Sequence, residues 1–181
     1  MRRETFERLA KSCRSEAALF HVLAAPVFSR LGLRLINNPH ERFGRYGYSS
    51  AQYELQNGLS LSVGIEPADG RYLELRFGRR WFVDGKLVTL SNSYYVFARL
   101  VGVDLPESYD LGFEEQLVRS LRVPIADVER SWAAVCDGVS DSVIENAERS
   151  RYGAMEQLQY FREMNPTGVV TVEGLRAAPR S

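Results

Sequence analysis

The sequence has few of the residue types that most often hold metal ions. Its 181 residues include two histidines, His21 and His40, and two cysteines, Cys13 and Cys136. A metal site needs three or four converging ligands, and these four residues are spread over the chain. We expect His21 to pack inside an apolar helix and His40 to be solvated in a loop. The sequence therefore predicts no metal site.

Catalytic and phosphate-binding motifs are also missing. The chain contains no glycine-rich phosphate loop, no His-Glu-x-x-His, no Cys-x-x-Cys and no Gly-x-Ser-x-Gly, the short motifs that place cofactors and nucleophiles in many enzymes. No residue is therefore assigned a catalytic role, and no cofactor is expected. The sequence favours a protein that is not an enzyme without excluding one.

Long apolar runs are absent as well. No run reaches the roughly 20 residues that a membrane-spanning helix needs. The N-terminal stretch, MRRETFERLAKSCRSEAALF, is charged throughout and lacks the apolar core of a signal peptide. Two isolated thiols without a disulfide framework are typical of a reducing compartment. We expect a cytoplasmic protein that does not bind membranes.

Lysine is scarce: of 23 basic residues, only Lys11 and Lys86 are lysines. The 21 arginines indicate either the codon bias of a GC-rich, bacterial genome or a use for the guanidinium group, which binds carboxylates and phosphates through two hydrogen bonds. The net charge is zero, but residues 1–90 carry +5 and residues 91–181 carry −5. Either the two halves pack together and neutralise each other, or the surface is dipolar and orients a partner.

Hydrophobic periodicity predicts an α+β fold, with N-terminal helices, a central antiparallel β-meander of four to five strands, and C-terminal helices packed on the sheet. Apolar and polar residues alternate in segment 44–90, as in strands with one buried face. Asp84-Gly85 is typical of a two-residue hairpin turn, and Gly78 is expected to mark a bulge or bend. We expect one domain over residues 1–173 and a flexible tail over residues 174–181.

The predicted helices have recognisable ends. Ser15 is expected to cap a helix that breaks or kinks near Pro26. A later helix is expected to begin at Pro124 and to stop at Gly138, and a capping-box spacing predicts a long helix from Ser142 onwards.

The first candidate site lies on the predicted sheet. If Leu73 and Phe77 face the core, their neighbours face outward, beside a row of small residues that would leave a shallow trough. Arginine and tryptophan are enriched at binding hot spots, so we expect a partner-binding patch here. Alternatively, the C-terminal helices cover this face, or the arginines pair with Glu54, Glu66 and Glu74 across strands. The candidate residues are Tyr72, Arg76, Arg79, Arg80 and Trp81, with Arg79, Arg80 and Trp81 close together beyond Gly78, and the small residues are Ser60, Ser62 and Gly64.

The second candidate site is acidic. Residues 104–115 contain five carboxylates and no basic residue. They form either a solvated loop before a helix whose N-terminus favours Glu114 and Glu115, or an acidic surface loop that docks on a basic partner. The candidate docking residues are Asp104, Glu107 and Asp110.

Segment 114–132 has the apolar spacing of a helix-turn-helix. Its second helix would turn Asp127 and Glu129 toward phosphate, and Arg122 stands where the usual turn glycine would be. Nucleic-acid binding is therefore the least favoured function, and two packed helices explain the same spacing.

Two function classes remain. The missing catalytic motifs and the uneven charge predict a non-enzymatic protein-binding module of a bacterial cytoplasm, similar in kind to immunity, adaptor or chaperone-like proteins, with another protein as its partner. The alternative is a small-molecule binding protein, or an enzyme, that uses the trough around Tyr72, Arg76 and Arg79.

Overall fold

The structure, a computed structural model, describes residues 12–43, 47–67, 71–83, 86–112, 116–140 and 144, with the backbone alone for residues 43 and 81–90 within these ranges. The predicted helices before residue 12 and after Ser142, the hairpin turn at 84–85, and the tail over residues 174–181 lie outside the described residues. The elements in chain order are α1 (Glu16–Arg30), β1 (Arg34–Leu35), β2 (Arg42–Phe43), β3 (Tyr48–Glu54), β4 (Leu59–Glu66), β5 (Tyr72–Val83), β6 (Lys86–Ser93), α2 (Tyr94–Leu100), β7 (Tyr109–Asp110) and α3 (Leu117–Gly138).

The strands form one antiparallel sheet in the order β1-β3-β4-β5-β6, in which β2 also pairs with β3 and β7 pairs with β5. Helix α1 precedes the main strands and α3 follows them, so the predicted α+β architecture is confirmed. Val83 pairs with Lys86, so two residues join β5 to β6, as the hairpin prediction requires.

The predicted bend at Gly78 is wrong. Gly78 pairs with Ser60 on β4 and with Ser91 on β6, and the register continues unbroken on both sides. Small residues flank the glycine on both neighbouring strands, and strand β5 runs straight through it for 12 residues. Because side chains alternate between the two faces of a regular strand, Arg79 and Arg80 lie on opposite faces of the sheet.

Helix α1 begins as predicted and is longer than predicted. The Ser15 hydroxyl accepts the N–H of Ala18 at 3.0 Å, which confirms the N-cap. The break near Pro26 is wrong, since the helix continues to Arg30. Pro26 cannot donate to the carbonyl of Val22, but both residues lie on the exposed side of the helix. Water can therefore bind that carbonyl, and the missing hydrogen bond does not end the helix.

Helix α3 is a single helix of 22 residues with Pro124 inside it, so the prediction that a helix begins at Pro124 is wrong. The apolar stripe explains why, because it continues across the proline at helical spacing and is buried on both sides of it. The predicted end at Gly138 is confirmed. Residues 117–132 therefore contain no turn between two helices, and the helix-turn-helix arrangement is absent from the described part of segment 114–132. The buried stripe consists of Leu117, Leu121, Ile125, Val128, Trp132 and Val135.

The core lies on one face of the sheet, which we call the inner face. The ring of Phe77 on β5 meets Phe97 of α2 and Trp132 of α3 edge-on, with centroids 5.3 and 5.6 Å apart. Phe28 of α1 meets Tyr53 of β3 in the same way at 4.8 Å. All three described helices therefore pack on the inner face. The opposite, outer face is covered by none of them.

Candidate functional site

The outer face is polar and follows from the strand register. Residues that pair directly across antiparallel strands point to the same side, and side chains alternate along a strand, which assigns the outer-face positions of β1 and β3 to β7. The outer positions with described side chains are Arg34, Tyr48, Ser50, Gln52, Glu54, Ser60, Ser62, Gly64, Glu66, Tyr72, Glu74, Arg76, Gly78, Arg80, Ser91, Ser93 and Asp110.

Arg79 does not belong to this surface. It lies on the inner face beside the core residues of β5 and is 8% exposed. Its Nη1 donates to the carbonyl of Asn57 at 2.8 Å, and its positive charge lies near the Cys136 thiol of α3. Burial raises the pKa of that thiol to about 12, an effect that Arg79 opposes. The predicted grouping of Arg79 with Arg80 is wrong, and the side chain of Trp81 lies outside the described part.

The outer-face arginines of β5 use their donors within the sheet. Arg80 reaches across β4 to Glu54, with Nη1 and Oε2 3.4 Å apart and both side chains less than one-fifth exposed. Nη2 of Arg76 donates to the carbonyl of Ser91 at 3.0 Å, and Nε donates to its hydroxyl at 3.3 Å. The cross-strand pairing of arginine with Glu54 that the sequence offered as an alternative is therefore observed for Arg80.

The row of small residues does not form an open trough. Ser60 is 4% exposed and Gly78 is buried, since the ion pair of Arg80 and Glu54 crosses β4 beside them. At the other end of the row, the phenol of Tyr48 lies against Gly64 so closely that a Cβ atom there would overlap it. The outer face is thus filled by its own long side chains.

Five exposed residues gather at one end of the outer face. Glu66 pairs with Tyr72, and Tyr72 pairs with Asp110 on β7, so these three form a row across β4, β5 and β7. Glu74 pairs with Gly64, where Tyr48 lies. We call these residues the acidic tyrosine patch: Tyr48, Glu66, Tyr72, Glu74 and Asp110.

The acidic tyrosine patch is open and negatively charged. Tyr48 and Tyr72 are 42% and 46% exposed, and the three carboxylate residues are exposed as well. Burial raises the pKa of Tyr48, and the charges of Glu74 and Glu66 raise it further against the opposing effect of Arg76. The tyrosine therefore stays protonated and neutral at physiological pH, beside exposed carboxylates that attract a cation.

Strand β7 joins the two sites that the sequence predicts separately. It brings Asp110 of the acidic stretch beside Tyr72 of the sheet. The strand is only two residues long, and no periodicity in the sequence indicates which strand it pairs with. Asp104 and Glu107 are exposed in the preceding loop and do not lie on the sheet.

Asp127 of α3 holds β7 from the inner side. Its Oδ2 accepts the hydroxyl of Tyr109 at 2.9 Å, and its Oδ1 accepts Nε of Arg130 at 2.9 Å. Tyr109 pairs with Leu73 and is 7% exposed. Burial raises the pKa of Tyr109, and the neighbouring Asp127 raises it further, so the phenol keeps the proton that it donates. This bond fixes the position of Asp110 on the outer face.

A cleft that sequence reasoning missed lies on the other side of the molecule, between α1, β1 and β3. Its volume is about 380 Å³. His21 contributes to its wall and lies with Nδ1 3.2 Å from the hydroxyl of Tyr53. The wall is assembled from residues far apart in the chain, which explains why no local pattern indicates it. It is lined by His21, Ala25, Phe28, Ser29, Gly32, Leu33, Arg34, Leu35 and Tyr53.

Within the described ranges, no three histidine, cysteine, aspartate or glutamate side chains come together in a group that could hold a metal ion. Among the same residues, no helix has both the length and the apolar character needed to cross a membrane. No protein-family model matches the chain, and no curated protein or solved structure is significantly similar to it.

Proposed function

We propose that this chain is a non-enzymatic protein-binding module and that the acidic tyrosine patch is its binding site for a basic protein. The observation that carries the proposal is the row of Glu66, Tyr72 and Asp110 on three adjacent strands, with Tyr48 and Glu74 beside it, all exposed on a face that no described helix covers. The free thiols of Cys13 and Cys136 and the arginine-rich composition support a place in a bacterial cytoplasm, in a role of the immunity, adaptor or chaperone kind.

The chemistry of the patch favours a cationic partner. Carboxylates attract lysine and arginine side chains and steer their approach. An exposed tyrosine ring accepts a cation on its face, and its rigid ring loses little conformational entropy on binding. The arginine nearest to the patch on β5, Arg76, already donates to Ser91. Nucleic acid is the wrong partner for such a surface, because its phosphates would meet carboxylates.

The shape of the patch favours a protein over a small cation. Neighbouring strands lie about 4.8 Å apart, so the row across three strands spans roughly 10 Å, and Glu74 and Tyr48 widen it further. An open surface of this kind encloses no ligand, whereas it can meet another folded surface over a wide area. The sheet and the bond between Asp127 and Tyr109 hold these side chains in place before a partner arrives, which lowers the entropy cost of binding.

Affinity capture with matched variants tests this proposal. The tagged chain is incubated with a lysate of its own host at about 150 mM salt, near physiological ionic strength, and bound proteins are quantified by mass spectrometry. We expect a basic protein at stoichiometric amount that Glu74→Lys and Tyr72→Ala weaken by about tenfold or more, since truncated hot-spot residues commonly cost this much.

The control is Asp137→Lys, which makes the same charge change at an exposed position of α3, away from the sheet. It should leave capture unchanged. A partner that all three variants retain equally would place the binding site elsewhere, and a lysate that yields no stoichiometric protein would reject the protein-binding function.

A further inference from the structure

We propose that the free edge of β6 pairs with the same edge of a second copy of this chain, so that two antiparallel sheets join into one across a two-fold axis. Strand β6 is the last in the sheet order, and among the described residues no strand pairs with its far side. Residues 86–90 lie beside residues 79–83 of β5, whereas the acidic tyrosine patch lies at the other end of that strand, at Tyr72 and Glu74. The two proposals can therefore fail independently.

The hydrogen bonds of β5 show which side each of its residues uses. Along an antiparallel strand, consecutive residues direct their N–H and C=O groups alternately to the two neighbouring strands. The N–H of Arg80 donates to the carbonyl of Gly58 at 2.9 Å, and Gly58 directly precedes β4. Arg80 therefore bonds to the β4 side of the strand, and its neighbour Arg79 bonds to the β6 side.

The same alternation identifies the backbone groups of β6 that face away from β5. Arg79 pairs with Leu90, so these two residues exchange their backbone hydrogen bonds. Leu87, Thr89 and Ser91 lie at odd steps from Leu90 and therefore direct their N–H and C=O groups to the free edge. Within the described part of the chain, the backbone groups of Leu87 and Thr89 have no hydrogen-bond partner.

Side chains cap this edge at the end of β6 that leads into α2. Nη2 of Arg76 donates to the carbonyl of Ser91 at 3.0 Å, and Oδ1 of Asn92 accepts the N–H of Ser93 at 2.7 Å. A charged side chain laid over an edge is one of the devices that keep a strand from pairing further. The open part of the edge is therefore confined to residues 87–89.

The opposite edge of the sheet, along β3, is covered throughout. Strands β1 and β2 pair with its two ends, and the side chain of Asn37 fills the gap between them. Its Nδ2 donates to the carbonyl of Ser50 at 2.9 Å, and its Oδ1 accepts the N–H of Gln52 at 2.7 Å. No described group covers residues 87–89 of β6 in this way, and an uncovered edge is a template for strand pairing.

A second copy supplies a strand whose groups match this edge. With Val88 on the two-fold axis, Leu87 pairs with the partner's Thr89 and Thr89 with the partner's Leu87, each pair exchanging both N–H···O bonds. A two-fold axis makes such an interface self-complementary. Lys86 is the only charged residue of β6, so a charged peptide finds little counter-charge there. The backbones of the two lysines lie roughly 14 Å apart in this register, beyond the screening length of about 8 Å at physiological salt.

Sedimentation of the full-length chain tests the proposal. Analytical ultracentrifugation between about 1 μM and about 1 mM should show a monomer that converts to a dimer as the concentration rises. Thr89→Pro removes an N–H that the interface uses once in each copy, and it should weaken the dimer at least about tenfold. Proline is tolerated on an edge strand where its missing N–H has no partner. Thr89→Val keeps the N–H, and Glu74→Lys changes only the acidic tyrosine patch, so both should dimerise as the parent chain does.

Amide hydrogen exchange of the unmodified chain locates the interface without relying on a variant. The amides of Leu87 and Thr89 should exchange at least about tenfold more slowly at high than at low protein concentration, because only the dimer pairs them. Those of Val88 and Leu90, which bond to β5 in the monomer, should change little. A monomer at every concentration, a dimer that Thr89→Pro leaves intact, or fast exchange at Leu87 and Thr89 in the dimer would each overturn the proposal. Protection of these two amides in the monomer would do so as well, by assigning the edge to another segment of the same chain.

Discussion

Two adjacent arginines show how far the surroundings of one residue type can differ. Arg79 is buried on the inner face and donates to the carbonyl of Asn57. Arg80 lies on the outer face in a partly exposed ion pair with Glu54. A guanidinium taken out of water depends on every hydrogen bond that it forms, whereas a pair that water still reaches contributes little to stability. These two residues are adjacent in the chain, yet we expect their contributions to the free energy of unfolding to differ in size.

The free energy of unfolding should separate these two residues. We expect Arg79→Ala to lower it by about 2 kcal/mol, through the lost hydrogen bond and the cavity that a buried side chain leaves. Arg80→Ala should lower it by less than about 1 kcal/mol. Urea denaturation of both variants and the parent chain is the measurement. Equal losses would contradict the assignment of the two residues to opposite faces of the sheet.

Local sequence patterns predict the inner face of β5 before Gly78 and do not predict on which face Arg79 lies beyond it. Alternation over Leu73, Leu75 and Phe77 is visible in the sequence and predicts the inner face correctly, as all three are buried. Gly78 follows in the strand without a side chain. A glycine in a strand is compatible with either a bulge or an unbroken ladder of hydrogen bonds. The pairing partners decide between the two, and they belong to other parts of the chain.

At the scale of elements, tertiary packing overrides local breaking signals in both long helices. Pro26 and Pro124 each lie inside a helix that continues past them. The buried stripe of α3 extends on both sides of Pro124, so ending the helix there would remove Ile125, Val128 and Trp132 from the core. Burying each large side chain is worth about 1.5–3 kcal/mol. The three together therefore exceed the cost of about 3 kcal/mol for a proline in a helix interior.

Replacing Pro124 distinguishes one continuous helix from two. In the continuous helix, Pro124→Ala restores the N–H that donates to the carbonyl of Ser120 and removes a cost of about 3 kcal/mol. The loss of two buried methylene groups offsets about half of that gain. We expect thermal denaturation to show a chain stabilised by about 1 kcal/mol. At the first position of a helix proline is favourable, so a destabilised variant would instead indicate a helix that begins there.

The element that completes the acidic tyrosine patch is the short strand β7, and α3 secures it. Asp127→Ala removes the acceptor for Tyr109 and Arg130, and we expect a loss of about 2 kcal/mol in unfolding free energy. The amide of Leu111, which donates to the carbonyl of Arg71 at 2.8 Å, should exchange its hydrogen faster. Tyr109→Phe, which removes only the hydroxyl, should show a smaller change in the same direction. Unchanged exchange at Leu111 in Asp127→Ala would contradict this anchoring role.

At the scale of the whole molecule, the overall architecture was predictable and the position of the patch was not. The change of hydrophobic period from helix to strand and back predicts the α+β order, because each period reflects one buried face. The acidic tyrosine patch depends on a strand of two residues that meets β5 38 positions away, at Tyr72 and Asp110. The packing of α3 and of the loop before it determines this contact, so the local hydrophobic pattern does not predict it.

The placement of charge over the whole surface gives a prediction that needs no knowledge of the partner. The chain has no net charge, so retention on a charged resin must come from local clusters. We expect it to bind immobilised poly-arginine at low salt and to elute early from heparin.

The double variant Glu66→Gln with Glu74→Gln should elute from poly-arginine at lower salt than Glu41→Gln with Asp137→Asn, which removes the same charge from exposed positions outside the patch. Because both variants have the same net charge, a difference between them reports where the charge lies. Identical elution of the two double variants would mean that the patch attracts cations no more strongly than carboxylates elsewhere on the surface. Stronger retention on heparin than on poly-arginine would assign the binding surface to the arginines instead.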